Sequence, residues 1–241
     1  RAGARQAERG PRLPGGALGA ELEAVTLRYD GALTPALDEV SLGLAPGERL
    51  ALCGASGSGK SSVAGLLLGQ LVPREGSVRL GGVALAEWPE VALSRRVAAL
   101  TQRADLLDDS LAANLRIADP EAPESALWAA LAWVGLDAWA GALPQGLATR
   151  VGEGGARLSG GQARRLALAR LHLRAPDLVI LDEPFAGLDA DTAAVLGARL
   201  DAWLRGRTVL YLVHQLDGGP FDPPGIDCAL TLVEGRLRRY T

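Results

Sequence analysis

Residues 50–62 read Leu-Ala-Leu-Cys-Gly-Ala-Ser-Gly-Ser-Gly-Lys-Ser-Ser, and the rest of the chain is read outward from them. Gly54, Gly59, Lys60 and Ser61 fit the spacing G-x-x-x-x-G-K-[ST]. Glycines so spaced let the backbone of Gly54, Ala55, Ser56, Gly57, Ser58 and Gly59 curl until successive N–H groups point at one anion. A helix opening at Lys60, Ser61 and Ser62 adds its positive end to the same spot. Lys60 is placed to reach the outer phosphates of a nucleotide, and the Ser61 hydroxyl suits Mg²⁺. The context is right: a strand-like run, Glu48 to Cys53, leads in, and a helix-like run, Ser61 to Leu71, leads out. The chain holds 25 Lys and Arg, of which Lys60 is the one lysine. A compact ammonium on a thin stem suits such a cradle better than the planar fork of arginine.

Composition narrows the classes. A length of 241 residues allows one large domain or one domain with lobes, and a net charge of −3 offers no basic excess for nucleic acid. No apolar run approaches the roughly 18 residues that a membrane helix needs, and no signal peptide is visible. Cys53 and Cys228 stand outside any C-x-x-C pattern, which argues against a disulfide or metal framework. The chain has no methionine, which reads as a domain cut from a longer protein.

Residues 1–20, rich in Gly, Ala, Arg and Pro, read as a linker. Leu22, Ala24 and Leu27, then Val40, Leu42 and Leu44, alternate with polar neighbours and predict short antiparallel strands on either side of a turn at Asp30-Gly31. A second strand pair is expected at Ser77–Leu80 and Val83–Leu85, and a strand at Val97–Thr101 ends on Gln102. Residues 104–150 change to helical spacing with Trp128, Trp133 and Trp139, predicting a helical lobe packed by those rings. Helix is expected at Gly160–Leu173 and Ala190–Arg205, buried strand at Leu178–Leu181 and Thr208–Val213, and a closing hairpin over Glu234-Gly235. Wholly apolar strands alternating with helices imply a parallel sheet covered on both faces.

Two more stretches carry chemistry. Leu178-Val179-Ile180-Leu181-Asp182-Glu183 delivers two acids at the carboxyl end of a buried strand, where an α/β sheet holds its ligand. Asp182 would join Ser61 around Mg²⁺, and Glu183 would polarise an attacking water. Leu158, Ser159, Gly160, Gly161 and Gln162 open another helix and make a second anion cradle, or else a serine N-cap with two flexible glycines. One nucleotide does not need two cradles, which suggests that the second serves a nucleotide on another subunit.

In order and spacing, the phosphate loop, Gln102, Leu158–Gln162, Leu178–Glu183 and His214 resemble the ATP-binding-cassette (ABC) ATPases over nearly all of residues 21–240. That resemblance implies an α/β fold: a phosphate-loop, RecA-like core with a parallel sheet, an antiparallel β subdomain, and a helical subdomain inserted at about 104–160. It implies ATP and Mg²⁺ as ligands and a head-to-tail pairing with a second cassette, identical or different. Tyr29 looks like the aromatic that stacks on adenine, and Gln102 like the glutamine that touches Mg²⁺ and water. Asp189 matches the loop crossing the dimer interface, His214 the histidine contacting the terminal phosphate, and His172 no motif.

Val151-Gly152-Glu153-Gly154-Gly155 resembles the coupling loop of exporter-type cassettes. The implied setting is the cytoplasmic face of a bacterial plasma membrane, behind a transmembrane domain joined through residues 1–20. Asp108-Asp109-Ser110-Leu111 and Leu143-Pro144-Gln145-Gly146-Leu147 look most like the thiol-reductant (cysteine or glutathione) exporter of cytochrome bd assembly. Multidrug, lipid and peptide exporters share much of the pattern, and a binding clamp with little hydrolysis is the other alternative. Phe185-Ala186-Gly187 and Val213-His214-Gln215 depart from the commoner family runs without removing a catalytic group.

Overall fold

The computed structural model describes residues 13–102 and 104–240. The chain opens with β1 (Ala20–Leu27) and β2 (Leu37–Leu44), and then β3 (Arg49–Cys53) runs into α1 (Lys60–Leu67). β4 (Glu75–Leu80) and β5 (Val83–Ala84) flank the Gly81-Gly82 turn, followed by α2 (Glu90–Arg96) and β6 (Val97–Leu100). A helical lobe comes next, with α3 (Leu111–Arg116), α4 (Glu124–Trp133) and α5 (Asp137–Ala142). The chain then builds α6 (Gly160–Arg174), β7 (Leu178–Asp182), α7 (Ala190–Trp203) and β8 (Thr208–Val213), and closes on β9 (Cys228–Val233) and β10 (Arg236–Arg239).

Six strands form the central sheet in the order β10-β9-β3-β8-β7-β6, parallel except for β10. Successive side chains on a strand face opposite ways, so a sheet covered on both sides must be apolar at every position. Ala51, Cys53, Val179, Leu181, Val209 and Tyr211 pack into one core with the helical lobe. Leu50, Leu52, Leu178, Ile180, Leu210 and Leu212 pack into a second core with α1 and the antiparallel sheet β2-β1-β4-β5. The expected architecture, a parallel core with an antiparallel β lobe and a helical lobe, is the one found.

Several details differ from expectation. Ala24 is exposed, because bulges at Ala24 (φ 46°) and Glu39 (φ 50°) shift the register and bring Val25 opposite Val40 in the core. Helix α2 was not anticipated: it is seven residues long, too short for periodicity to declare itself. The strand expected to reach Thr101 ends at Leu100, and the helix expected to reach Arg205 ends at Trp203. Of residues 1–20, 1–12 lie outside the described residues, whereas Leu18 is fully buried and Arg96 donates to the carbonyls of Pro14 and Gly16. The last part of that stretch therefore packs onto the β lobe.

The helical lobe is fastened through its tryptophans. Trp133 stacks on His172 of α6, with ring centroids 4.1 Å apart, and meets Trp203 of α7 edge-on. Burial pushes the His172 imidazole down to about 4, with Arg207 adding to the effect. Arg165 donates to the carbonyls of Val134 and Gly135, and Arg199 to those of Ala132 and Trp133, so two arginines satisfy the exposed end of α4. Among the described residues, no helix is long and apolar enough to cross a membrane.

Candidate functional site

The parallel strands β3, β8, β7 and β6 lie side by side, and their carboxyl ends carry the residues picked out from the sequence. The Gly54–Ser61 turn follows β3, His214 follows β8, Asp182 ends β7, and Gln102 lies two residues beyond β6. The Gly54 N–H bonds to the carbonyls of Val213 and His214, joining the loop to the end of β8. A Cβ on Gly54 would lie 2.5 Å from the Leu232 carbonyl oxygen and 2.6 Å from Ser58 Oγ. The loop is therefore packed down to the bare backbone, as a cradle presenting N–H groups requires. Buried inside it, the Ser58 hydroxyl has no protein partner.

Lys60 Nζ donates to the carbonyl oxygens of Gly54 and Ala55. Its pKa is lowered, chiefly by burial, while the nearby carboxylates of Asp182 and Glu183 oppose the shift. The Asp182 carboxyl is raised, first by burial and then by Glu183, with Arg164 and Lys60 pulling the other way. Ser61, Gln102 and Asp182 line one cavity of about 460 Å³. A hydroxyl, a carboxamide and a carboxylate are hard oxygen donors of the kind Mg²⁺ takes when most of its shell is phosphate and water. Among the described residues, no group of three or more His, Cys, Asp and Glu could hold a metal ion.

Tyr29 is about half exposed (47 %), and its hydroxyl lies 3.0 Å from Ser62 Oγ at the start of α1. His214 is exposed, which rules out a core histidine. The loop beyond it is clamped: Tyr240 Oη donates to the Leu216 carbonyl and accepts from its N–H, and Tyr211 Oη donates to the Pro224 carbonyl. Glu183 sits at φ 45°, in the left-handed region, and its N–H bonds to the Leu212 carbonyl. A carboxylate-bearing residue in that conformation persists only where its surroundings fix it.

The second cradle lies elsewhere. Ser159 is the N-cap of α6, its hydroxyl accepting from the Gln162 N–H at 3.2 Å while the Gln162 side chain accepts from the Ser159 N–H at 2.9 Å. Leu158 packs against the core of the helical lobe, and Ser159 and Gly160 are exposed. Gly161 lies against Gly187 and Leu188, next to Asp189, whose side chain caps α7 through Thr192. Glu153 is exposed on the turn before this loop.

One residue escaped the sequence reading. Arg164, on α6, is 5 % exposed and donates to four main-chain carbonyls: Thr101, Gln102, Asp182 and Glu183. The signal was available in the spacing Arg164, Ala167, Leu168, Leu171, which puts the arginine on the buried stripe of the helix. In a helix carrying several arginines, nothing else in the sequence singles it out.

Residues 37–186 match the family model described as "ABC transporter". The chain is similar to the ATP-dependent lipid A-core flippase of Thiobacillus denitrificans, 40% identical over 197 residues that cover 80% of this chain and 33% of that protein. It is similar as well to the one from Burkholderia pseudomallei, 42% identical over 192 residues, covering 78% of this chain and 31% of that protein. The chain thus spans about a third of the length of these curated relatives. Among solved structures, a bacterial Atm1-family ABC exporter with ATP bound superposes with a TM-score of 0.87 at 28% identity, covering 96% of this chain and 40% of that one.

Proposed function

Because the chain belongs to the ABC transporter family, we propose that it is the ATP-binding and ATP-hydrolysing domain of an exporter, acting head-to-tail with a second such domain. One observation carries this reading: the bare-backbone cradle with Lys60, the Gln102 loop, the Asp182-Glu183 pair and His214 sit together at the carboxyl ends of adjacent parallel strands. In the proposed reaction the loop N–H groups and Lys60 hold the phosphates of ATP, and Tyr29 offers its ring to the adenine. Glu183 orients a water and accepts its proton, while Lys60 and His214 face the charge developing on the terminal phosphate. Mg²⁺, held by Ser61, Asp182 and Gln102, would neutralise phosphate charge. Ser159 and Gly160, exposed at the start of α6, and the half-buried Gly161 serve the nucleotide of the facing domain, and Asp189 lies at that interface.

The partner that makes this a transporter is a transmembrane domain, reached in the same polypeptide through the stretch before β1. A groove of about 1300 Å³ beside the Gln102 loop, lined by Val72, Leu85, Leu107, Ile117 and Arg170 among others, suits its cytoplasmic part. That setting puts the domain at the cytoplasmic face of a bacterial plasma membrane. The names of the relatives favour a lipid exporter over a thiol exporter.

The test is steady-state ATPase activity against protein concentration, with Glu183→Gln alongside. The expected result is activity that rises more than linearly with concentration and falls at least about 100-fold in Glu183→Gln, with ATP binding kept. A wild-type chain that binds ATP but turns none over, alone or with a partner domain, replaces the motor reading with that of a binding clamp.

A further inference from the structure

The strands β6 and β7 are paired in parallel only as far as Leu100 opposite Leu181. Beyond that pair the two backbones separate, and the cavity lined by Thr101, Gln102 and Asp182 begins there. Past the end of the ladder, the Arg164 side chain bonds to both strand ends. Arg164 Nη1 donates to Thr101 at 2.8 Å and Gln102 at 3.0 Å on one side, while Nη2 donates to Asp182 and, at 2.6 Å, to Glu183 on the other.

We propose that Arg164 is a positioning residue that sets the spacing between Gln102 and the Asp182-Glu183 strand end, and with it the Mg²⁺ dependence of nucleotide binding. The inference rests on the Mg²⁺–ATP reading of the site given above. Three observations carry it. All four acceptors are main-chain oxygens, two on each separating strand, which suits the rigid fork of a guanidinium and not the single point of an ammonium. Three of the four residues gripped, Thr101, Gln102 and Asp182, line the cavity, so their spacing sets the spacing of the candidate ligands Gln102 and Asp182. The Glu183 carbonyl, which also accepts from Ala186, belongs to a residue at φ 45°, and the Arg164 bond is among the contacts holding it there. Arg170, six residues further along α6, donates to the Asp105 carbonyl and so also holds the stretch after Gln102. Burial works against the guanidinium charge, and the fields of Asp182 and Glu183 support it.

The phosphate loop lies outside this grip, which makes the inference separable from simple damage. Arg164→Met and Arg164→Lys are made in the full-length protein. A fluorescent ATP analogue is titrated with and without Mg²⁺, kcat and KM are measured across Mg²⁺ concentrations, and melting temperature is recorded. In Arg164→Met, Mg²⁺-free affinity stays within twofold of wild type. The gain in affinity that Mg²⁺ brings shrinks at least fivefold, and the half-saturating Mg²⁺ for turnover rises by a similar factor. Arg164→Lys, which keeps charge and stem but cannot span both carbonyl pairs, falls between the two, and carries the test alone if the methionine variant does not fold. Wild-type Mg²⁺ dependence in the folded variants, whatever happens to their melting temperature, overturns the inference and leaves the ATPase reading intact. A wild-type protein that binds no nucleotide overturns both.

Discussion

The two glycine-bearing loops that face phosphate in the proposed cycle use glycine for opposite reasons. Gly59 sits at φ 109°, and a Cβ there would lie 2.5 Å from the Ala36 carbonyl oxygen, so the chain's own backbone excludes every other residue. Gly160 is the first residue of α6, with helical backbone and nothing within 4 Å of where its Cβ would stand. The first glycine is demanded by the fold. The second is not, and under the proposed pairing its bare surface leaves room for a nucleotide held by the facing domain. The serines differ in the same way: buried Ser58 lacks a protein partner, whereas Ser159 already caps its helix.

Breaking the first loop gives the largest effect. Gly59→Ala forces a Cβ against backbone and a left-handed conformation on alanine, so it should lose about 2 kcal/mol or more of stability together with nucleotide binding. Urea denaturation and a binding titration check this, and unchanged values in both would remove the steric half of the comparison. Gly160→Ala sharpens the contrast, because stability and activity should move in opposite directions. Alanine in an open helical position gains roughly 0.5 kcal/mol, while turnover should fall about tenfold, which is ~1.4 kcal/mol of transition-state stabilisation. Full turnover in this variant would reduce the second loop to an ordinary helix start.

The smallest effect concerns what the second loop stands on. His172, on the same helix, has a folded-state pKa of about 4 against an ordinary 6.5. Its neutral form packs against Trp133, so the unfolded chain binds the proton first as pH falls. Stability from this residue is complete above pH 6.5 and is lost progressively towards pH 4. His172→Phe keeps the ring stack without the titration, so its melting temperature should gain on wild type across that window and show no such trend from pH 7 to 8. A gap that does not change with pH would mean that the imidazole is not held neutral.

The phosphate loop, the acidic strand end and the Ser159 cap were legible because each is a local device: the atoms that define it lie within a few residues of one another. Tyr29 and Gln102 were found through resemblance, and the structure puts the first against Ser62 and the second in a cavity with Ser61 and Asp182. The bulge at Ala24 escaped because an alanine at φ 46° carries no sequence mark, and the alternation continues on the wrong parity past it. Arg164 escaped for a different reason. Its acceptors are carbonyls as many as 63 residues away, and every residue type has a carbonyl. Main-chain partners leave no pattern in a sequence, however much depends on them.

Lys60 has a practical consequence. It is the chain's one lysine, its amine is kept in the cradle by two loop carbonyls, and burial makes it easier to deprotonate than a surface lysine. An acylating reagent therefore has a single side-chain amine to attack on this domain, and it sits where triphosphate would lie. Under the proposed function, the extent of labelling, read by mass spectrometry, becomes a direct gauge of how much of the time that seat is taken.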